Sequence, residues 1–262
     1  MSLLVVDSIT TNWAVFDPVS LQVKKMGSGQ VRVRASAVSK VGLIVWSLPS
    51  GRGLARANEA KLGLGTKEKS LVRSLQRFGP LWLISDAAFF ASLPIEVTAA
   101  GVDELHGGLT HVSLLEAASR ALGKPTTQLN LITLYLDQDS SATAIRGGVP
   151  VEMTTKIGPQ PDLVGWSGMK QPLAPTLSHP KLRLNPKFQL GLRIYFHDLT
   201  LLVGAYAGLL GRLDAVVLAG TLGEEDIVRE ELLKRLPFLL SVNLLVGQAR
   251  PLQMAAEILH HL

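Results

Sequence analysis

From residue 188 onward, apolar runs too short for helices alternate with stretches whose apolar residues recur at helical spacing. Phe188–Leu210 is proline-free and nearly continuous in apolar residues, and the spacing predicts one long helix there. A strand is expected over Asp214–Leu218, an acid-started helix over Glu224–Leu236, a strand over Val242–Val246, and a closing helix over Pro251–Leu262 with proline in its first turn. This order asks for an α/β architecture, because each strand run is apolar on both faces and needs helices to cover it. No fixed-period repeat suggests a solenoid.

The first half fits the same class. Leu3–Val6 and Trp13–Phe16 read as strand, turn and strand, and Val31–Val33 as a further strand. Ser47–Thr66 carries Pro49, Gly51, Gly53, Gly63 and Gly65 and reads as a loop. Lys67–Arg77 is amphipathic and stops before Pro80, with the strand-like run Leu81–Ser85 after it. Ser113–Leu122 is helical and ends at Gly123 with Pro125 beyond, and Leu131–Leu136 reads as a buried strand. Six prolines between Gly158 and Pro186 mark an extended linker or surface excursion.

At 262 residues, with 47% apolar and 18% charged side chains, the chain has the material for two lobes, each with a core. Its mean hydropathy is +0.28. Even so, the longest apolar runs, Leu199–Leu210 and Leu236–Leu245, fall short of the roughly 18 to 20 residues a bilayer crossing needs. The opening Met1–Asp7 carries a carboxylate at its end and no basic segment, so it does not read as a signal peptide, and a cytoplasmic setting is expected. Zero cysteines exclude disulfides, thiolate metal sites and cysteine nucleophiles. Of the 26 Lys and Arg, 12 fall in residues 1–80 against only 4 of the 21 acids, so the positive excess is N-terminal. Arg32, Arg34, Lys40, Arg52 and Arg56 have a single aromatic, Trp46, interleaved among them, too few for a nucleic-acid stacking platform, which leaves a solvated basic face or a binder of anionic nucleotides.

Three constellations carry candidate chemistry. Asp7 ends a strand and is followed by the hydroxyls of Ser8, Thr10 and Thr11, a turn able to face phosphate while the carboxylate manages magnesium; an ordinary strand-ending aspartate is the commoner reading of such a pattern. Asp86 directly follows the run Leu81–Ser85, and His106-Gly-Gly-Leu-Thr-His111 comes some twenty residues later. A carboxylate and a histidine around an open glycine turn suit phosphoryl transfer, whereas the His106/His111 spacing suits no regular zinc site. In Leu218-Ala-Gly-Thr-Leu-Gly223-Glu-Glu-Asp226 a strand ends in Gly220 and Gly223, and acids open a helix. The glycines admit close approach to the backbone, and Glu224 with its neighbours disfavours bare phosphate, so an adenosine moiety is the expected contact.

In this order the segments resemble the acetate/propionate/butyrate kinase (acetokinase) family, part of the superfamily of actin-like ATPases and sugar kinases. The resemblance is carried by Leu4–Asp17, Leu83–Pro94, Leu105–His111, Leu122–Pro125, Asn130–Thr133, Gly204–Ala207, Leu213–Val217 and Gly220–Glu224. It implies two actin-like, ribonuclease H-like lobes. Residues 1–128 with the closing segment 246–262 would make one, its size reduced, and 129–245 the nucleotide-binding other. It further implies Asp86 as catalytic aspartate, His106 as stabiliser of the transferring phosphoryl group, Gly220, Gly223 and Glu224 at adenosine, and Asp7 at magnesium. ATP or ADP with Mg2+ would be the cofactor, a short carboxylic acid the acceptor, and a homodimer stays open.

Several residues depart from the family pattern. Tyr135 and Asp137-Gln-Asp139 stand where the family has a histidine and a Gly-Asn-Gly phosphate loop, Trp166 stands in Gly165–Gly168 where an arginine is expected, and Ala249-Arg-Pro251 replaces a magnesium-associated glutamate. A second family arginine has no counterpart between residues 25 and 80. Like charges some 4 Å apart repel by a few kcal/mol even when well screened, so Asp137 and Asp139 oppose phosphate. The expectation is therefore a kinase-like protein with a degenerate transfer site that serves as a nucleotide- or partner-binding module, with an active carboxylate kinase as the alternative.

Overall fold

The structure, a computed structural model, describes residues 2–8, 11–45, 54–56, 66–99, 107–137, 140–155, 157 and 186–261. The chain divides into two compact units: Met1–Ala91 with Leu105–Ser113 and Arg250–Leu262, and Ser92–Glu104 with Leu114–Ala249.

The first unit is built on a six-stranded sheet in the order β3-β2-β1-β4-β6-β5. Its strands are β1 (Ser2–Asp7), β2 (Asn12–Phe16), β3 (Val23–Ser28), β4 (Val38–Val45), β5 (Leu54–Arg56) and β6 (Leu81–Ser85). An antiparallel meander β1-β2-β3 is extended by β4 and β6, which run parallel to β1. β1 is buried along its whole length, as a strand covered on both faces must be. Over one face, α1 (Thr66–Leu75) and the turn after it set Val72, Leu75 and Phe78 against Leu4, Val6, Trp13 and Val15. The other face, Leu3, Val5, Ala14 and Phe16, takes Ala255, Ala256 and Leu259 of the closing helix. Each such fully buried large side chain contributes roughly 1.5–3 kcal/mol.

The second unit repeats this plan with the order β11-β10-β7-β8-β9. An antiparallel meander of β7 (Asn130–Tyr135), β8 (Ser141–Arg146) and β9 (Val149–Thr154) is extended by parallel β10 (Ala215–Ala219) and β11 (Asn243–Val246). After α1, the helices among the described residues are, in chain order, α2 (Ile95–Ala99), α3 (Gly108–Leu122), α4 (Pro186–Leu210), α5 (Gly220–Gly223), α6 (Asp226–Arg235) and α7 (Pro251–His260). On α4, Tyr195, Leu199, Val203, Tyr206 and Leu210 recur three or four residues apart and form one buried stripe over the second sheet. α3 begins in the first unit and continues in the second.

Three expectations are corrected. Val31–Val33 is not a strand; both valines pack partly buried on the Trp13 face without a strand partner, and the neighbouring strands are β3 and β4 instead. Within the expected loop Ser47–Thr66 lies β5, paired to β6. α3 starts at Gly108 rather than Ser113, because a carboxylate caps it, as described below. The proline-rich stretch from Gly158 to residue 185 lies outside the described residues. Among the described residues no helix is long and apolar enough to cross a membrane.

Candidate functional site

Each unit gathers its candidate residues at the carboxyl ends of its parallel strands, the edge at which open α/β sheets present ligand-binding loops. In the first unit Asp7 closes β1, in register with Ile44 of β4, which is in turn in register with Ile84 of β6; Asp86 follows two residues on. Two strand spacings, about 9–10 Å across the sheet, therefore separate the strands that carry the two aspartates.

Asp86 is 6% exposed, and its carboxylate is engaged with the main chain. Oδ2 accepts the Gly107 amide at 2.5 Å and Oδ1 accepts the Leu109 amide at 2.7 Å. These are orphan donors of the first turn of α3, so the side chain caps that helix from another segment of chain. The close approach explains Gly108: a Cβ there would stand 1.9 Å from the carbonyl oxygen of Asp86. Four residues past Gly107, His111 is fully buried, its ring edge-on to Phe90 at 6.0 Å. Ser113 Oγ donates to the Thr110 carbonyl and accepts the Arg250 amide, which fixes the start of α7 beside that of α3. His106 lies outside the described residues.

In the second unit β7 and β10 run parallel and end side by side. The Leu136 amide donates to the Ala219 carbonyl at 2.8 Å, and the Leu222 amide donates to the Leu136 carbonyl at 3.0 Å. Gly220, at φ +83°, sits against this crossing; a Cβ would come within 2.6 Å of the Leu136 carbonyl oxygen in a backbone region that side chains rarely adopt. Gly223 packs on the Leu218 backbone, and Glu224 is exposed at the end of α5.

Sequence reasoning placed Asp137 at this corner but missed its partner. Asp137 Oδ2 accepts the Thr221 hydroxyl at 2.7 Å and the Thr221 amide at 3.3 Å. Ser140 holds the aspartate's backbone from the other side: its Oγ accepts the Asp137 amide at 3.0 Å and donates to the Asp137 carbonyl at 2.6 Å. A carboxylate thus occupies the two donors of Thr221 in the Gly220 turn. The only advance signal was an acid followed by a serine three residues on, an ordinary turn pattern that does not point 84 residues down the chain. Asp139 and Trp166 lie outside the described residues.

As for metal, Asp7 is buried at the strand end, and among the described residues no group of three or more His, Asp or Glu gathers to hold an ion. The chemistry on hand is thus two aspartates along one sheet edge of the first unit, and an internally paired carboxylate at the turn after β10 in the second.

No protein-family model matches the chain. An acetate kinase of Clavibacter michiganensis is 29% identical over 204 residues, covering 60% of this chain and 52% of that protein. The chain spans about half the length of the curated relatives it matches. Among solved structures, the acetate kinase of Porphyromonas gingivalis superposes with a TM-score of 0.75 at 14% identity, over 98% of each chain. A ROK family protein of Streptococcus pneumoniae follows at 0.60 and 11%, over 99% of this chain and 98% of that one. These likenesses establish the fold: two lobes of the actin-like ATPase and sugar kinase type.

Proposed function

We propose that this chain is a divergent member of the acetate kinase family and a nucleotide- or partner-binding module that transfers phosphoryl groups poorly if at all. The observation that carries the reading is the Asp137 carboxylate on the Thr221 amide and hydroxyl. Phosphate approaching that turn meets a fixed negative charge, and the Thr221 amide and hydroxyl are already taken. Catalysis of phosphoryl transfer is mostly positioning and charge neutralisation, so a site that opposes phosphate loses in binding and in turnover together.

The residues fit part of a nucleotide. The glycines of the turn after β10, with Glu224 beyond, suit an adenosine moiety, whereas Asp137 suits no phosphate. Bound magnesium would supply charge neutralisation, and Asp7 would be its carboxylate ligand. Asp86 and His106 are the proposed remnant of the transfer centre, and a short carboxylic acid and a second copy of the chain are its proposed partners. A cytoplasmic setting belongs to the same proposal, supported by the absence of cysteine.

The test is calorimetric titration with ADP, with and without magnesium, beside a coupled ADP-release assay with acetate, propionate and butyrate. Binding that requires magnesium, and an acid-dependent rate no higher than that of Asp86→Asn, are expected. The second reading, an active carboxylate kinase, is favoured by Asp86 itself, kept at the end of β6. Robust acetyl phosphate formation that vanishes in Asp86→Asn would establish that reading and remove the first.

A further inference from the structure

The positive excess of the first eighty residues is not absorbed by either candidate corner. Two of its members have local duties: Lys24 pairs with Asp17 at 2.7 Å, and Lys40 Nζ donates to the Leu259 carbonyl near the end of α7. Six others, Lys25, Arg32, Arg34, Lys69, Arg73 and Arg77, lie on the face of the first sheet that α1 covers. Lys25 lies over the Trp13 ring, and its Nζ donates to the Arg32 carbonyl at 2.9 Å. Val31 and Val33 pack on the same core cluster as Leu71, Val72 and Phe78, so the segment bearing Arg32 and Arg34 lies in one layer with α1. The short turns Ala35–Ala37 and Gln76–Phe78 touch, which brings the chain after Arg34 to Arg77. From there Arg73 and Lys69 continue along the outer side of α1. All six cations are exposed, and Glu68 is the one acid among the described residues of α1.

This basic face meets a sheet edge. Among the described residues β3 has a single neighbour, β2, and is the outermost strand. Opposite Lys25 on the other face of the sheet, Met26 is 68% exposed, with Val23 nearby at 48%. The edge therefore offers main-chain donors and acceptors, cations on one side and apolar side chains on the other.

We infer that β3 with Lys25, Arg32 and Arg34 forms a docking surface for an extended acidic segment of a partner protein, added to the sheet as a further strand. Strand addition takes affinity from main-chain hydrogen bonds and specificity from side chains that alternate between the two faces. Carboxylates on one face of the added strand meet the guanidinium groups of Arg32 and Arg34, whose planar forks match them. Apolar residues on its other face meet Val23 and Met26. A nucleic acid could use the charge but not the edge, and no exposed aromatic lies beside these cations among the described residues for bases to stack on.

The experiment is fluorescence anisotropy of the full chain with a short labelled peptide of alternating glutamate and valine. Binding is expected, weakening as salt is raised. The double variant Arg32→Glu, Arg34→Glu, its fold checked by circular dichroism, is expected to weaken it at least about tenfold, as screened charge reversal at an interface does. N-methylation of alternate peptide amides, which leaves charge intact and needs no protein variant, is expected to weaken it by a similar factor of about ten. No binding, or equal binding of a lysine–valine peptide, would overturn the proposal. So would equal binding of the N-methylated peptide, which would mean charge alone, and tighter binding of duplex DNA, which would make the face a nucleic-acid surface.

Discussion

Asp86 has a structural duty separable from any catalytic one, since both of its oxygens accept amides at the start of α3. Asp86→Ala leaves both donors without their acceptor, and a loss of about 1–3 kcal/mol is expected. Asp86→Asn keeps one acceptor oxygen and loses less. Urea denaturation of the two variants checks the order, and equal stabilities would show that the cap contributes nothing. Gly220 makes the converse case. Gly220→Ala puts a Cβ against the Leu136 carbonyl at positive φ, so destabilisation above the ~1 kcal/mol of an ordinary glycine exchange is expected. At this scale the sequence identified the residues but not their partners.

Two elements can be tested through single side chains that hold them. Asp214, at the entrance to β10, receives Lys124 from beyond the end of α3, Arg212 and the Asn130 amide that opens β7. Partial burial pushes its carboxyl up, but the Asn130 amide and the two cations together outweigh that and hold it below the usual range. A carboxyl depressed in the folded state stabilises fully above its unfolded value, near 3.9, and loses that contribution as pH falls through the folded value. Wild type is therefore expected to exceed Asp214→Asn in stability at neutral pH, with the gap closing as pH falls below about 4. A gap independent of pH in chemical denaturation would contradict the charge argument. On α4, the Tyr195 hydroxyl is buried with no hydrogen-bond partner among the described residues, and burial pushes its ionisation far up. Tyr195→Phe removes an unsatisfied group without leaving a cavity. A gain of up to about 1 kcal/mol is expected, seen as a rise in melting temperature.

At the scale of the whole molecule, the last residues of the chain complete the core of the first unit: Ala255, Ala256 and Leu259 of α7 lie against β1 and β2. Ala256→Asp places a carboxylate at a position with no exposure and is expected to destabilise that unit severely. Hydrogen exchange should then speed up at β1 and β4, while β7 and β10, whose core is formed by α4 and α6, keep their protection. Loss of protection in both sheets together would show that the units do not open separately.

The sequence by itself determined the strands and helices whose signal is local. β1, β7 and β10 are near-continuous apolar runs, and α4 carries its buried stripe at helical spacing, so burial on two faces or on one stripe is written into a few adjacent residues. β3, β8 and β9 escaped that reading because Val23–Ser28, Ser141–Arg146 and Val149–Thr154 lack an apolar run and become strands by pairing with β2, β7 and β8 respectively. The candidate site divided in the same way. Asp86 and the Gly220–Glu224 turn were legible, because a carboxylate or a glycine pair after a strand is a local pattern. Only tertiary structure decided what they do, since the amides on Asp86 come from 21 and 23 residues along the chain and the hydroxyl on Asp137 from 84. A hydrogen bond satisfies its donor whatever the chain distance between the partners, and that distance is closed only when parallel strands bring their carboxyl ends to one edge.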